Sequence, residues 1–85
     1  MHLEATRTFL RLYKKLPNDV QGQAKKTLTL FVENPSHPSL RHRKMAGQGN
    51  IYELSVSISY RITYEKTGET AILRKIGTHD ILKQP

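Results

Sequence analysis

Apolar residues recur at helical spacing over the first third of the chain and at every second position over much of the rest. From Thr6, whose hydroxyl suits a helix N-cap, Phe9, Leu10, Tyr13 and Leu16 fall on one helical face. Leu16-Pro17-Asn18-Asp19 interrupts that helix, because a proline disfavours helical geometry at the residue before it. A second helix is predicted from about Asp19 to Glu33, with Val20, Ala24, Leu28 and Phe31 as its apolar stripe and Lys25 and Lys26 off it. The short link makes the pair a helical hairpin. Asn34-Pro35-Ser36-His37-Pro38 then stops helix formation and favours an extended exit.

Strands follow. Leu40 to Met45 reads as one, closed by the turn-rich Gly47-Gln48-Gly49-Asn50. In Ile51–Val56, Tyr52, Leu54 and Val56 share one face while Ile51, Glu53 and Ser55 share the other. In Tyr60–Glu65, Tyr60, Ile62 and Tyr64 lie opposite Arg61, Thr63 and Glu65, and Thr67-Gly68 turns the chain into a last strand, Thr70–Ile76. Short connections make neighbours antiparallel, so the expected fold is α+β: two N-terminal helices packed on one face of a four-stranded antiparallel sheet. Whether residues 2–5 add a short edge strand is left open. Tyr52, Leu54, Val56, Tyr60, Ile62 and Tyr64 are expected beneath the helices, and Glu53, Ser55, Arg61 and Thr63 on a face open to water.

Eighty-five residues make one domain, 1–85. With no cysteine, there is neither a disulfide framework nor a thiolate metal site, and histidines 2, 37, 42 and 79 lack the paired spacing of a zinc helix. No metal or other cofactor is expected. No apolar run reaches the roughly 20 residues of a membrane span, and the N-terminus lacks a signal-peptide core, so the expectation is a soluble cytoplasmic protein. Charge narrows the partners. Fourteen Lys and Arg against seven Asp and Glu give +7, which favours a polyanionic partner such as nucleic acid or an acidic protein.

Four places could carry chemistry. Arg41-His42-Arg43-Lys44 is the densest positive run; it can grip phosphates, or serve as a charged edge strand that discourages aggregation. Arg61, mid-strand between apolar neighbours, can clamp a phosphate through two parallel hydrogen bonds, or pair with Glu53 across the sheet. His79 follows Gly77-Thr78 at the close of the last strand, where it can pass a proton near neutral pH or merely hydrogen-bond at the chain's end. Arg74 and Lys75 adjoin, so simple alternation allows only one of them to face outward. With Ile72 and Ile76 in the core it is Lys75, beside Arg61; with Leu73 in the core it is Arg74.

Taken in order, these segments resemble a known family. Leu16-Pro17-Asn18-Asp19-Val20, Asn34-Pro35-Ser36-His37-Pro38-Ser39-Leu40-Arg41, Ile51-Tyr52-Glu53-Leu54-Ser55-Val56, Tyr60-Arg61-Ile62 and Leu73-Arg74-Lys75-Ile76-Gly77-Thr78-His79-Asp80 are similar to the RelE/ParE toxin superfamily over nearly the whole chain. The resemblance implies a toxin of a type II toxin–antitoxin system that cuts messenger RNA in the ribosomal A site. It also implies an acidic cognate antitoxin, with operator DNA reached only through it. On that pattern Arg61 stabilises the pentavalent transition state, His79 is the general acid or base, Lys75 is the further catalytic residue, and Arg41, Arg43, Lys44 and Lys83 bind RNA. One departure stands out: Lys83 occupies the place where members with this ending carry a base-stacking aromatic. Two other readings follow from the same resemblance. A ParE-like inhibitor of DNA gyrase gives His79 no task, while Lys83 is the best support for a catalytically inactive binding module.

Overall fold

The computed structural model describes residues 1–85. It contains β1 (His2–Ala5), α1 (Arg7–Lys14), α2 (Asn18–Glu33), β2 (Arg43–Lys44), β3 (Ile51–Ser55), β4 (Arg61–Thr67) and β5 (Thr70–Gly77), with 3-10 turns at Pro38–Leu40 and His79–Lys83. The helical hairpin forms as its periodicity predicts. Thr6 caps α1 by accepting from the Phe9 amide at 3.1 Å, and its hydroxyl donates to the Leu73 carbonyl at 2.9 Å. One short side chain thus starts the helix and ties it to β5. Gln21 caps the other end, its amide donating to the carbonyls of Tyr13 at 3.0 Å and Leu16 at 3.2 Å.

The sheet departs from the four-stranded antiparallel expectation. It has five strands in the order β1-β5-β4-β3-β2, and β1 runs parallel to β5. The hairpin α1–α2 follows β1 immediately, so the N-terminal segment completes an edge that the meander β2–β5 leaves open. No helix is long and apolar enough to cross a membrane.

The predicted strand Leu40–Met45 is corrected as well. Pro38 begins a 3-10 turn that drives Leu40 into the core at 1% exposure, and only Arg43 and Lys44 join the ladder. Directly after that turn, before the strand begins, Arg41 takes the left-handed conformation, with φ at 45°. Burial of one leucine redirects the chain more strongly than its extended propensity.

The core joins Phe9, Ala24 and Phe31 from the helices to Leu54, Ile62, Tyr64, Ala71, Leu73 and Ile76 from the sheet. Tyr52 and Val56 pack partly buried against it, while Tyr60 is only half-buried outside it, and Ile51 is buried although alternation assigned it to the open face. Leu73 and Ile76 both point inward because β5 carries a bulge. Thr63 pairs with Lys75 and Tyr64 with Leu73, which leaves Arg74 as the extra residue. Alternation reverses there, so Arg74 and Lys75 both face outward, correcting the expectation that only one could.

The outer face is not open throughout. Thr63 is fully buried, and its hydroxyl donates to the Pro85 carbonyl at 3.1 Å. Arg74 Nε donates to the same oxygen at 3.1 Å, and Lys75 donates to the Gln84 carbonyl. The last turn and the residues after it lie across β4 and β5. What remains of the outer face is the part over β2, β3 and the start of β4.

Candidate active site

That uncovered region holds a cleft of about 230 Å³ lined by Arg41, Arg43, Glu53, Ser55, Arg61 and His79, with no apolar residue among them. The sheet register explains the grouping. Arg43 lies opposite Glu53, Ser55 opposite Arg61, and Arg61 opposite Gly77. Residues two apart on a strand share a face, so Glu53 and Ser55 look outward together with Arg43 and Arg61. His79 enters at the end of that row, two residues beyond Gly77. Arg41 enters at the other end through its left-handed backbone, which turns its side chain outward while Leu40 stays in the core.

Arg61 is held in place by the loop that precedes it. Its Nη1 donates to the carbonyls of Ser57, Ile58 at 3.2 Å and Tyr60 at 3.0 Å. All three bonds come from one nitrogen, which leaves Nη2 and Nε for a ligand. A guanidinium fixed along one edge and free along another is ready to receive phosphate oxygens. Arg61 does not pair with Glu53. Arg43 takes that role: its Nε donates to Glu53 Oε1. Glu53 Oε2 is buried and has no hydrogen-bond partner.

His42 anchors the basic segment from behind. It points away from Arg41 and Arg43, with its ring centroid 5.5 Å from Phe31, 5.3 Å from Tyr52 and 5.5 Å from Tyr64. Nδ1 lies 3.3 Å from the Pro35 carbonyl and Nε2 bonds the Tyr64 hydroxyl. A carbonyl can only accept, so Nδ1 carries the proton and Nε2 accepts from tyrosine. Burial lowers the His42 pKa below its ordinary 6.5, and burial likewise pushes the Tyr64 phenol far up. This neutral pair packs the segment onto the core and leaves its arginines to the cleft.

Of the residues expected from sequence, Arg41, Arg43, Arg61 and His79 come together. Lys44, Lys75 and Lys83 do not. Lys44 lies opposite Tyr52, on the other face of β2 from Arg43. Lys75 and Lys83 line a second depression with Arg11, Asp80 and Gln84, and Lys83 pairs with Asp80 at 3.8 Å. Sequence reasoning missed Glu53 and Ser55 as members of the cleft. The signal was present, since alternation placed both on the face of Arg61. No group of three or more His, Asp or Glu side chains is arranged to hold a metal ion.

The fold is that of the toxins found in toxin–antitoxin pairs. More narrowly, it is the fold of the RelE/ParE superfamily, RelE and YafQ included. YafQ from E. coli strain BL21(DE3) matches with a TM-score of 0.77 at 16% identity, covering 94% of each chain. A chain of the intact E. coli RelBE toxin–antitoxin complex matches at 0.71 with 25% identity, covering 91% of this chain and 94% of that one. A chain of the RelB–RelE antitoxin–toxin complex from Methanococcus jannaschii matches at 0.77 with 22% identity, covering 94% of each. No protein-family model matches the sequence, and no curated protein matches it significantly. The relationship is therefore visible in the backbone rather than in overall sequence identity.

Proposed function

We propose that the protein is the toxin of a type II toxin–antitoxin pair and that it cleaves messenger RNA on the ribosome. The observation that carries this reading is the cleft itself. Arg41, Arg43, Arg61 and His79, spread over nearly half the chain, converge on one polar depression. Three guanidiniums against a single carboxylate favour a phosphodiester, and a histidine at the rim supplies a proton-transfer group.

In this reading Arg61 binds the non-bridging oxygens of the scissile phosphate through its free nitrogens and stabilises the charge that grows on them. Arg41 and Arg43 hold the adjoining backbone. His79 exchanges a proton with the reacting oxygens as the ribose 2′-hydroxyl attacks phosphorus. Lys44, Lys75 and Lys83 are assigned to flanking phosphates rather than to the reacting one, because none of them lines the cleft. The +7 charge supports an acidic antitoxin that covers this surface.

The test is a purified translation reaction with mapping of new messenger 5′ ends. Codon-phased cuts are expected with the wild type, and their loss with Arg61→Ala and His79→Ala. Intact messenger, or cleavage by both variants at the wild-type rate, would falsify the reading. Inhibition of DNA gyrase with intact messenger would replace it by a non-catalytic one.

A further inference from the structure

The cleft shared by Arg61 and His79 has no apolar residue in its lining. It can hold a phosphate, but a nucleobase needs an apolar surface with polar groups at its margin. A pocket of about 260 Å³ directly beside the cleft has that make-up. The two meet at Ser55, which lines both. Leu30, Leu40 and Val56 supply the apolar surface, while Gln23, Lys26 and Ser39 stand at the exposed rim.

The pocket exists because β2 is short. Backbone groups along β3 point alternately toward its two neighbours. The Ile51 carbonyl faces the β2 side and accepts from the Met45 amide at 2.9 Å, whereas the Val56 amide faces the other way and donates to the Tyr60 carbonyl at 3.0 Å. Ser55 has the parity of Ile51, so its N–H and C=O face an edge left bare by β2, which reaches only to Glu53. Across that gap lies α2, with Gln23, Lys26, Thr27 and Leu30 at the i, i+3, i+4 and i+7 spacing of one helical face. The Thr27 hydroxyl is engaged, donating to the Gln23 carbonyl at 3.0 Å. Lys26 is not: it takes part in none of the salt bridges of the molecule, and no acid lines the pocket.

We propose that this pocket is a nucleobase subsite and that Lys26 determines which base it takes; the proposal rests on the endoribonuclease reading above. A base is joined to its phosphate through one sugar, so a base site must adjoin the phosphate site, as this one does at Ser55. The ring lies on Leu30, Leu40 and Val56. The Ser55 backbone offers its edge one donor and one acceptor, and Lys26 offers donors alone. An ammonium favours an exocyclic carbonyl and disfavours an exocyclic amine, which can only donate. The subsite therefore prefers guanine or uracil to adenine or cytosine at one of the two nucleotides flanking the cut.

The experiment is single-turnover cleavage on ribosomes programmed with messengers that differ only in the bases flanking the cut, comparing wild type with Lys26→Met. Methionine keeps most of the apolar stem and removes the donors. With guanine or uracil at one flanking position, the wild type is expected to cut roughly 10-fold or more faster than with adenine or cytosine, the scale of one hydrogen bond to a charged group. Lys26→Met is expected to cut the two classes at nearly equal rates. The readout is a ratio of rates within one protein, so a smaller folded fraction cannot mimic it. A lysine that merely attracts the RNA backbone would slow all four messengers by one factor in Lys26→Met, and that outcome overturns the proposal. Cleavage by the wild type without base preference at either position overturns this subsite alone. A wild type that leaves every messenger intact overturns the endoribonuclease reading and the subsite with it.

Discussion

Arg61 and Gly77 face each other across β4 and β5, and His79 begins its turn two residues later. This pairing brings the guanidinium and the imidazole to one cleft. Gly77 has a second role. A Cβ placed there would lie 2.9 Å from Ile81 Cγ2, closer than two carbons can approach. Ile81 belongs to the same turn as His79, so the missing side chain lets that turn settle on the sheet. Gly77→Ala is expected to cost about 1–3 kcal/mol through overpacking and to reduce cleavage well beyond what the lost stability explains. Melting and single-turnover cleavage check this; a variant with full activity would show that the seat of Ile81 does not set His79.

The helices and the antiparallel meander were legible because local periodicity and burial agree there. Phe9, Val20, Ala24 and Phe31 are all buried as their spacing requires. Legibility failed where a tertiary contact overrode the local pattern. Leu40 reads as part of a strand, but its burial turns Arg41 left-handed and shortens β2 to two residues. Arg74 and Lys75 look mutually exclusive until the bulge lets both face outward. The site was legible in part. Arg61 and His79 follow from alternation and position, whereas the separation of Lys75 depends on the final residues lying over β5. Glu53 could be placed on the correct face, but its pairing with Arg43 depends on the β2–β3 register, which the sequence does not specify.

Arg61→Lys keeps the charge and loses the geometry. The guanidinium donates to three loop carbonyls through one nitrogen while its others stay free. An ammonium is a point donor and cannot hold the loop and a phosphate along separate edges. Cleavage is expected to fall by roughly 10²–10³, as on removing a transition-state donor, and stability by about 1 kcal/mol. The comparison uses cleavage rates and melting of the two proteins. Retention of most activity by Arg61→Lys would mean that charge alone suffices.

His42 gives stability a dependence on acidity. Burial lowers its pKa in the folded chain below the ordinary 6.5 of the unfolded one. As pH falls below about 6.5 the unfolded chain gains a proton that the folded chain refuses, so this contribution to stability is present above that value and is lost toward acid. Denaturant melts between about pH 7 and pH 5 are expected to show falling stability, by at most about 1.4 kcal/mol per pH unit for one proton. His42→Gln should be less stable at neutral pH, because it disturbs the acceptor for Tyr64, and should have a shallower slope. Parallel slopes for the two proteins would assign the acid sensitivity to other groups.

Arg41 separates stability from function most cleanly. Its φ of 45° puts a side chain with a Cβ into the left-handed region, a conformation that costs an L-residue roughly 1–2 kcal/mol. Glycine adopts it freely, at an entropic cost in the unfolded chain of about 0.5–1 kcal/mol. Arg41→Gly is therefore expected to melt at or slightly above the wild-type temperature. The same change removes one of the three guanidiniums of the cleft, so affinity for a phosphodiester should drop and its salt dependence should become shallower by about one counterion. Measuring melting and the salt dependence of RNA binding together tests both halves. If Arg41→Gly lowered stability and left the salt slope unchanged, the arginine would be a structural residue of the 3-10 turn. The combination expected here, a fold relieved and a ligand weakened, is what a strained residue kept for its side chain must produce.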